Sequence, residues 1–425
     1  MNNMATGKIG TVPKDPGFIS LPPTGIEGPL TEMQTQVIDT VRRFARDVMR
    51  PIGMQLDRKT PEQVVAKDSP LWTVYAKFRE LGLTVSSILE LPEEEKKVLI
   101  PAVWEELGYG DGGLAISIAV SMLPHLYTAE WGRMDLFNRI PETNVGCWGI
   151  TEPDHGSDVI DIDNRASYPG GRRTKPNLLA TIKGDKIILN GQKSAWVTNG
   201  TIAHHSLLFT ACDRGNGPDE NIVLLCPLDS KGVTKGKPLD KIGQRPLNQG
   251  EIFFDNVEVP LDNLIVHPEQ YKDAIHAILA EVNVVMACVF TGVARAAYEH
   301  AREYVHVRKQ GGATICQHQS VKSRLFHIFR QVEVSRAMAR RAYLYNLTAP
   351  APAMQGSIAA KITGTQTAFE VASAAIQLHG GNGLTREFPV EKLLRDARAS
   401  MIEDGCNELL AIKGGERLID PQLLK

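Results

Sequence analysis

The sequence predicts an α+β protein in which a strand-rich middle region separates two helical regions. Apolar residues recur at spacings of three and four from Thr31 to about residue 145, and the same period returns after Pro268. Between them, apolar and polar residues alternate in short runs bounded by Gly, Pro, Asn and Asp. Because the strands do not alternate with helices, a parallel βαβ fold is not expected. The predicted organisation is an arm at residues 1–30, an N-terminal helical domain at 31–145, a β domain at 146–265 and a C-terminal helical bundle at 266–425.

The N-terminal part combines an irregular arm with helical patterns. Five glycines and five prolines among the first 30 residues oppose regular structure there. From Thr31, the positions Val37, Val41, Phe44 and Val48 form one apolar stripe, and Thr31 fits a helix N-cap. Further helical patterns occupy residues 71–81, 93–107 and 113–126.

The middle and C-terminal parts differ in period. Residues 180–197 alternate around Lys183-Gly184-Asp185, which is typical of a hairpin turn. Similar runs at 206–211, 222–226 and 251–259 predict short antiparallel strands that form a barrel. Helical patterns at 268–305, 320–347, 357–379 and 390–418 predict a four-helix bundle.

Composition excludes several classes of protein. The chain has 425 residues, of which 43% are hydrophobic and 23% charged, as in soluble globular proteins. A net charge of −2 leaves no excess of positive charge for nucleic acid. The N-terminus has no basic run followed by an apolar core, as a secretory signal peptide would have, and the sequence has no run of 18 apolar residues. We therefore expect a cytoplasmic protein without a membrane span. Six scattered cysteines without zinc-ligand spacing indicate a reducing compartment and no metal site.

A glycine-rich turn, Gly380-Gly381-Asn382-Gly383, raises the question of a nucleotide site. It follows a helix rather than a strand, so the dinucleotide-binding fingerprint of parallel sheets does not apply. By itself the turn is typical of a helix C-cap.

Five separated segments together resemble the acyl-CoA dehydrogenase family of flavoproteins. They are I-T-E-P-D-H-G-S-D at 150–158, N-G-Q-K-S-A-W-V-T-N-G at 190–200, F-F-D-N-V-E-V-P at 253–260, the segment 308–319, and 377–383 with 390–397. They span about two thirds of the chain in the family's order. The resemblance implies the family's fold, FAD as cofactor, and α,β-dehydrogenation of an acyl-CoA.

The resemblance places several residues around the flavin. It implies that Thr151 and Thr198 hydrogen-bond near the reactive edge of the ring, that Trp196 packs against it and that Trp148 flanks it. From the residues alone, these would be strand-end threonines and core tryptophans. The resemblance also places Cys406 and Glu408 at the cofactor.

A second group is implied to reach the dinucleotide of a neighbouring subunit. Its members are Arg308, Gln319, Gln377, Gly380 and Gly381. A guanidinium suits a pyrophosphate, although Arg308 alone fits a solvated helical arginine equally well. The resemblance therefore implies a homotetramer, built as a dimer of dimers.

Substrate contacts are implied at two positions, Ser157 and Asn283. Ser157 matches a serine that faces the acyl-CoA, whereas Asn283 stands where many relatives carry an arginine. The chain also departs from the family at Gly311-Gly312, where a phenylalanine is usual. The helix at 115–125 is implied to line the acyl pocket, and His125 in it fits a buried, satisfied histidine.

The catalytic base is expected at Asp404, where the family commonly has glutamate. The shorter side chain reduces the reach by about 1.5 Å. Two carboxylates compete: Glu281 lies one residue, about 100° of helix, from a base position used by some relatives, and Glu403 would serve if the motif is shifted by one. From the residues alone, Asp404 before Gly405 is typical of a turn.

The expected reaction removes an α-proton with this carboxylate while hydride leaves the β-carbon for flavin N5, and an electron-transfer flavoprotein accepts the electrons. The shorter base favours a bulky, branched or cyclic acyl group. Two alternatives stay open: a monooxygenase or desulfinase on the same fold, and a catalytically silent subunit of a hetero-oligomeric acyl-CoA dehydrogenase.

Overall fold

The computed structural model describes residues 29–162, 175–218 and 220–424, so the predicted arm lies almost wholly outside the described residues. The N-terminal region is helical, as predicted. Thr31 caps the first helix through a reciprocal capping box with Gln34. A π-helical turn, Ala45–Met49, separates the first two helices. The helices are α1 (Glu32–Phe44), α2 (Arg50–Leu56), α3 (Pro61–Val64), α4 (Leu71–Glu80), α5 (Val85–Glu90), α6 (Glu93–Gly110), α7 (Gly112–Glu130) and α8 (Met134–Phe137).

The middle region folds into an eight-stranded sheet. Its strands are β1 (Gly146–Gly149), β2 (Leu178–Lys183), β3 (Lys186–Lys193), β4 (His205–Asp213), β5 (Glu220–Pro227), β6 (Val233–Lys235), β7 (Ile252–Pro260) and β8 (Leu264–Val266). The order is β6-β7-β3-β2-β4-β5-β8, with β1 also paired to β4. The predicted hairpin at Gly184 joins β2 to β3.

The expectation of a purely antiparallel barrel needs correction. Strand β4 pairs in parallel with both β1 and β2, so the sheet is mixed. Residues 194–204 connect β3 to β4, which lie on either side of β2. A tight hairpin cannot make this connection, because it joins only neighbouring antiparallel strands. Among the described strands, the pairing ends at β6 and at β8, so these eight strands form an open mixed sheet.

The C-terminal region is a helical bundle, as predicted, but the described residues form five helices rather than four. The pattern at 390–418, predicted as one helix, is divided into two by the turn at 401–406, where Asp404 and Gly405 have positive φ. The bundle consists of α9 (Tyr271–Val307), α10 (Gln319–Thr348), α11 (Met354–His379), α12 (Val390–Ser400) and α13 (Asn407–Ile419), with a two-stranded hairpin of β9 (Lys309–Gln310) and β10 (Ala313–Thr314) after α9. Helix α9 packs closely on α6. A Cβ at Gly292 would lie 2.0 Å from the Glu105 carbonyl oxygen, so only glycine permits this approach.

Buried charges connect the N-terminal helices to the bundle. Glu105 on α6 lies 2.9 Å from Arg295 on α9, 2.9 Å from Arg336 on α10 and 3.1 Å from Arg340 on α10. The three arginines hold the pKa of Glu105 at about 2 against the opposing effect of burial. This network fixes α6, α9 and α10 relative to one another.

Two helices are long and apolar enough to cross a membrane by length and composition. They are Gly112–Glu130 and the segment Pro268–Val307, and 72% and 83% of their most apolar windows are buried inside the molecule. Such burial is typical of core helices, and the absence of a membrane span stays a prediction.

Candidate active site

A cavity of about 550 Å³ lies between α7, α9 and the segment that joins α12 to α13. Its wall is mainly apolar, and the predicted pocket helix contributes Ile116, Val120 and Leu123. His125 does not line this cavity: it is buried and stacks on Phe137 at 4.0 Å between ring centroids. The size and the few polar groups are typical of a small-molecule site.

Asp404 lies on the wall of this cavity. It has the left-handed backbone conformation, with φ of 51°, and Gly405 follows with φ of 90°. Aspartate is one of the few residues that tolerate this conformation. Burial raises the pKa of Asp404 to about 6, although the nearby Lys361 ammonium group opposes the increase. The side chain is therefore a carboxylate at neutral pH with more basicity than an exposed aspartate.

Residues 401–406, which join α12 to α13, form the Asp404 loop. Hydrogen bonds hold this loop from two sides. Lys361 on α11 donates from Nζ to the Gly405 carbonyl oxygen at 2.8 Å and to Asn407 Oδ1 at 2.8 Å. On the other side, the Cys406 N–H donates to Ser157 Oγ at 3.1 Å. The structure thus brings Ser157 next to the predicted base. Lys361 has no motif signal, and only its position in the fold identifies it.

Glu403 does not line this cavity. Its Oε2 accepts a hydrogen bond from Gln244 Nε2 at 2.9 Å. Burial and the Asp404 charge raise the pKa of Glu403 to about 7, while Lys241 lowers it. Glu403 therefore belongs to a buried polar cluster beside the cavity.

Glu281 lines the same cavity as Asp404, and it is hydrogen-bonded to Glu130 at the end of α7. Burial raises the pKa of Glu281 to about 7. Although Glu130 as a residue is exposed, the loss of water around its carboxyl group and the Glu281 charge raise its pKa. Because two adjacent carboxylates repel each other, the pair shares a proton near neutral pH. No sequence motif marks Glu130, and its position at the end of the pocket helix is the signal that could have identified it.

The predicted flavin edge is assembled around the ends of β1 and β3. Thr151 Oγ1 lies 2.7 Å from Ser194 Oγ, and Gln249 Nε2 donates to Thr198 Oγ1 at 3.3 Å. Trp196 beside them is 61% exposed, which is unusual for so large an aromatic side chain. Exposed indole and adjacent hydroxyl groups fit a planar ring with polar atoms along one edge. Ser194 and Gln249 were not predicted.

Trp148 lies elsewhere, on the cavity wall. It is 6% exposed and packs on Phe209, and its Nε1 has no hydrogen-bond partner among the described residues. An unpaired buried donor is costly unless something else accepts its proton. This donor therefore also fits a site that holds a bound group.

A buried ion pair between Lys193 and Glu152 stabilises the segment at the predicted flavin edge. Lys193 donates to Glu152 Oε1 at 2.7 Å and to the Ile150 carbonyl oxygen at 3.1 Å. Glu152 Oε2 in turn accepts from the Asn177 N–H at 2.6 Å. The pair locks the segment around Thr151 against β3.

The remaining predicted cofactor residues lie on the surface of the bundle. The turn after α11 contacts the end of α9, since Asn382 Nδ2 donates to Tyr304 OH at 3.0 Å, one helical turn before Arg308. A Cβ at Gly380 or Gly381 would have no neighbour within 4 Å, so this surface is open. All five residues predicted to reach a neighbouring subunit's dinucleotide are exposed: Arg308, Gln319, Gln377, Gly380 and Gly381.

Three further predicted residues have different surroundings. Cys406 is half-buried beside Ser157, and Glu408 is exposed on the first turn of α13. Asn283 is fully buried, and its Nδ2 donates to the Leu279 carbonyl oxygen at 2.7 Å, so it is not part of the cavity wall.

Comparison with protein-family models gives two matches. Residues 147–257 match the acyl-CoA dehydrogenase middle domain, and residues 273–419 match the acyl-CoA dehydrogenase C-terminal domain. Together they cover more than half of the chain and include the flavin edge, α9 and the Asp404 loop.

Individual relatives match over almost the whole chain. A probable acyl-CoA dehydrogenase of Bacillus subtilis is 30% identical, over 93% of this chain and 99% of its own length. A cyclohex-1-ene-1-carbonyl-CoA dehydrogenase of Syntrophus aciditrophicus is 27% identical, over 92% and 91%. The solved structure of butyryl-CoA dehydrogenase from Megasphaera elsdenii shares the fold with a TM-score of 0.80 and 23% identity, over 93% of this chain and 100% of that one.

Proposed function

The chain belongs to the acyl-CoA dehydrogenase family, and from this premise we propose that it uses FAD to introduce an α,β double bond into an acyl-CoA thioester. It is an oxidoreductase acting on a CH–CH bond. The observation that carries the proposal is the placement of the Asp404 carboxylate on the wall of an apolar cavity, with a pKa of about 6. A base of this strength, mostly ionised at pH 7, suits removal of a weakly acidic proton.

The residues that would hold FAD fall into two groups. Thr151, Thr198 and Trp196 would contact the flavin from within the subunit, and Arg308 with the Gly380 turn would reach the dinucleotide of a neighbour. FAD supplies the acceptor for the substrate's β-hydride when bound. The apolar cavity excludes water from the Asp404 carboxylate.

Asp404 takes the α-proton in this proposal. The negative charge that develops on the thioester carbonyl oxygen needs fixed donors, and we propose that the Asp404 N–H is one of them. The left-handed backbone at Asp404 and Gly405 determines where the shortened side chain begins. The position of the base therefore depends on loop conformation as much as on side-chain length.

The cavity favours an uncharged acyl group. On its wall, Asp404 contributes one negative charge and the proton-sharing pair of Glu130 and Glu281 contributes another, against one ammonium group, that of Lys96. An acyl chain that ends in a carboxylate would be repelled, whereas a branched or cyclic hydrocarbon group would fill the space that the shorter base leaves. The similarity to a cyclohex-1-ene-1-carbonyl-CoA dehydrogenase supports this choice.

We also propose a cytoplasmic homotetramer that passes electrons to an electron-transfer flavoprotein. The exposed positions of Arg308, Gly380 and Gly381 support a site completed by a second subunit.

Replacement of Asp404 by asparagine tests the proposal. D404N should bind flavin and acyl-CoA but lose anaerobic bleaching of the flavin absorbance, by at least about 10³-fold in rate, because asparagine accepts no proton. E281Q and E403Q are matched controls that remove one carboxyl each and should retain bleaching. A screen of branched and cyclic acyl-CoA thioesters identifies the substrate first. Bleaching that persists in D404N but is lost in E281Q would move the base to Glu281.

A further inference from the structure

The Asp404 loop has a conformation that its own sequence does not enforce. A non-glycine residue in the left-handed region is held there only when its surroundings require it. The loop has few internal restraints: the Asn407 N–H donates to the Met401 carbonyl oxygen at 3.0 Å. Other hydrogen bonds come from outside the loop: from Ser157, from α11, and from Gln244, which donates to Glu403.

Lys361 supplies the contacts from α11. Its side chain is fully buried, with 0% exposure, and both hydrogen bonds from its Nζ, to Gly405 O and Asn407 Oδ1, end on neutral oxygens. Asn407 is held in turn, because its Nδ2 donates to Thr365 Oγ1 at 3.1 Å. Lys361 and Thr365 lie one turn apart on α11, so this helix clamps the segment immediately after the base.

A buried ammonium group is an expensive way to make two hydrogen bonds to neutral oxygens. Burying a charge without a directly bonded carboxylate costs several kcal/mol, and an uncharged amide donor could make similar contacts at less cost. The charge itself therefore requires an explanation. The ionisable groups with the largest electrostatic effect on Lys361 belong to the loop and to the start of α13: Asp404, Glu403, Cys406 and Glu408.

We propose that Lys361 is a positioning residue for the catalytic base: its ammonium group holds the backbone of the Asp404 loop and stabilises the ionised carboxylate of Asp404. This inference rests on the proposed function, because it assumes that Asp404 takes the α-proton. Burial lowers the pKa of Lys361 to about 8, so the group is still mainly charged at pH 7.

The sign of the electrostatic effect can be tested. The ammonium group lowers the pKa of Asp404, so its removal raises that pKa and moves the acid limb of the kcat/KM profile to higher pH. A shift of about one pH unit is expected for loss of an opposite charge at this range. Glu403, with a pKa of about 7, titrates nearby, and Lys241 opposes it. Glu281 also lines the cavity, with a pKa of about 7. The profiles are therefore recorded in the wild-type, E403Q and E281Q backgrounds, and a limb that moves in all three belongs to Asp404.

Three variants separate the charge from the hydrogen bonds. K361Q keeps a donor but loses the charge, so the acid limb should move while kcat at high pH stays within about 3-fold of wild type. K361M loses both, so kcat at high pH should also fall by about 10-fold or more through misplacement of the base. K361R keeps the charge and should leave the limb within about 0.3 unit of wild type.

Lys413 offers a matched control. It is also a buried lysine, with 7% exposure, and its Nζ donates to the Ile160 carbonyl oxygen at 2.9 Å. K413M should lose stability comparably to K361M but leave the acid limb in place. A limb that moves equally in K413M, or that stays fixed in folded K361Q and K361M, overturns the inference.

Failure of this inference can be told apart from failure of the proposed function. If D404N still bleaches with substrate, the base is misassigned. If D404N is inactive while K361Q has a wild-type acid limb, only the role of Lys361 is wrong. Should K361M not fold, K361Q decides the question alone.

Discussion

The carboxyl pair formed by Glu130 and Glu281 shows how environment rather than residue type determines charge. Neither residue has a cationic partner among its described contacts, and burial raises the pKa of both. The pair therefore holds a proton at pH values at which exposed glutamates are ionised. An apolar cavity with a protonated carboxyl group offers a hydrogen-bond donor as well as an acceptor.

The Glu281 pKa predicts a stability that depends on pH. Its pKa is about 4.5 in the unfolded chain and about 7 in the folded protein, so folding favours the protonated form. This contribution is present below about pH 4.5 and is lost as the pH rises through 7. E281Q removes the Glu281 titration and its charge beside Glu130, so the variant should become more stable relative to wild type as the pH is raised from 5 to 8. Urea unfolding at both values measures the gain, with the exposed Glu94 replaced by Gln as control; a gain that is equal at the two values contradicts the prediction.

The proximity of residues was predictable from the sequence where a motif ties a side chain to a local backbone, and their role at a flavin stays a prediction. Thr151, Trp196 and Thr198 lie together because they flank the ends of β1 and β3, and their segments carried recognisable patterns. Glu130 and Lys361 lacked such patterns. Their significance depends on contacts with residues far along the chain, which spacing does not reveal.

Secondary-structure elements were predictable where the sequence pattern that specifies them lies within the element itself. The long helices of the bundle follow the spacing of their apolar residues, and the hairpin at Gly184 follows its turn residues. The parallel pairing of β4 with β1 and β2 was not predictable, because it joins segments across long connections. The same holds for Glu105, whose arginine partners lie on two other helices.

We expect alanine to have opposite effects on stability at two glycines, Gly405 in the loop between α12 and α13 and Gly415 within α13. At Gly405, with φ of 90°, a Cβ would lie 2.9 Å from Ile160 Cδ1, so G405A should destabilise the protein by about 1–3 kcal/mol and reduce kcat. Gly415 lies within α13 and has open space around it, so G415A should stabilise by about 0.5–1 kcal/mol. Urea unfolding compares the two. Equal effects would show that the Gly405 conformation is not required.

At the scale of the whole molecule, the candidate site is divided between two surfaces. The cavity and the exposed Trp196 belong to the junction of the sheet and the helices, whereas Arg308 and the Gly380 turn lie on the outside of the bundle. Large apolar side chains, Phe326 and Leu384, are exposed on the same bundle at 62% and 75%. Exposed apolar surface of this kind is typical of subunit interfaces.

Subunit mixing tests whether Arg308 acts on a neighbouring subunit. R308E subunits keep Asp404, and D404N subunits keep Arg308, so each variant alone should form inactive oligomers that bind acyl-CoA. In a mixed dimer, one site combines the intact Asp404 of one subunit with the intact Arg308 of the other. Random assembly after co-expression should therefore restore about one quarter of wild-type activity, because half of the dimers are mixed and half of their sites are complete. If Arg308 served the flavin of its own subunit, every site in the mixture would lack one residue. Activity no higher than that of the two separate variants would show that Arg308 serves the site of its own subunit.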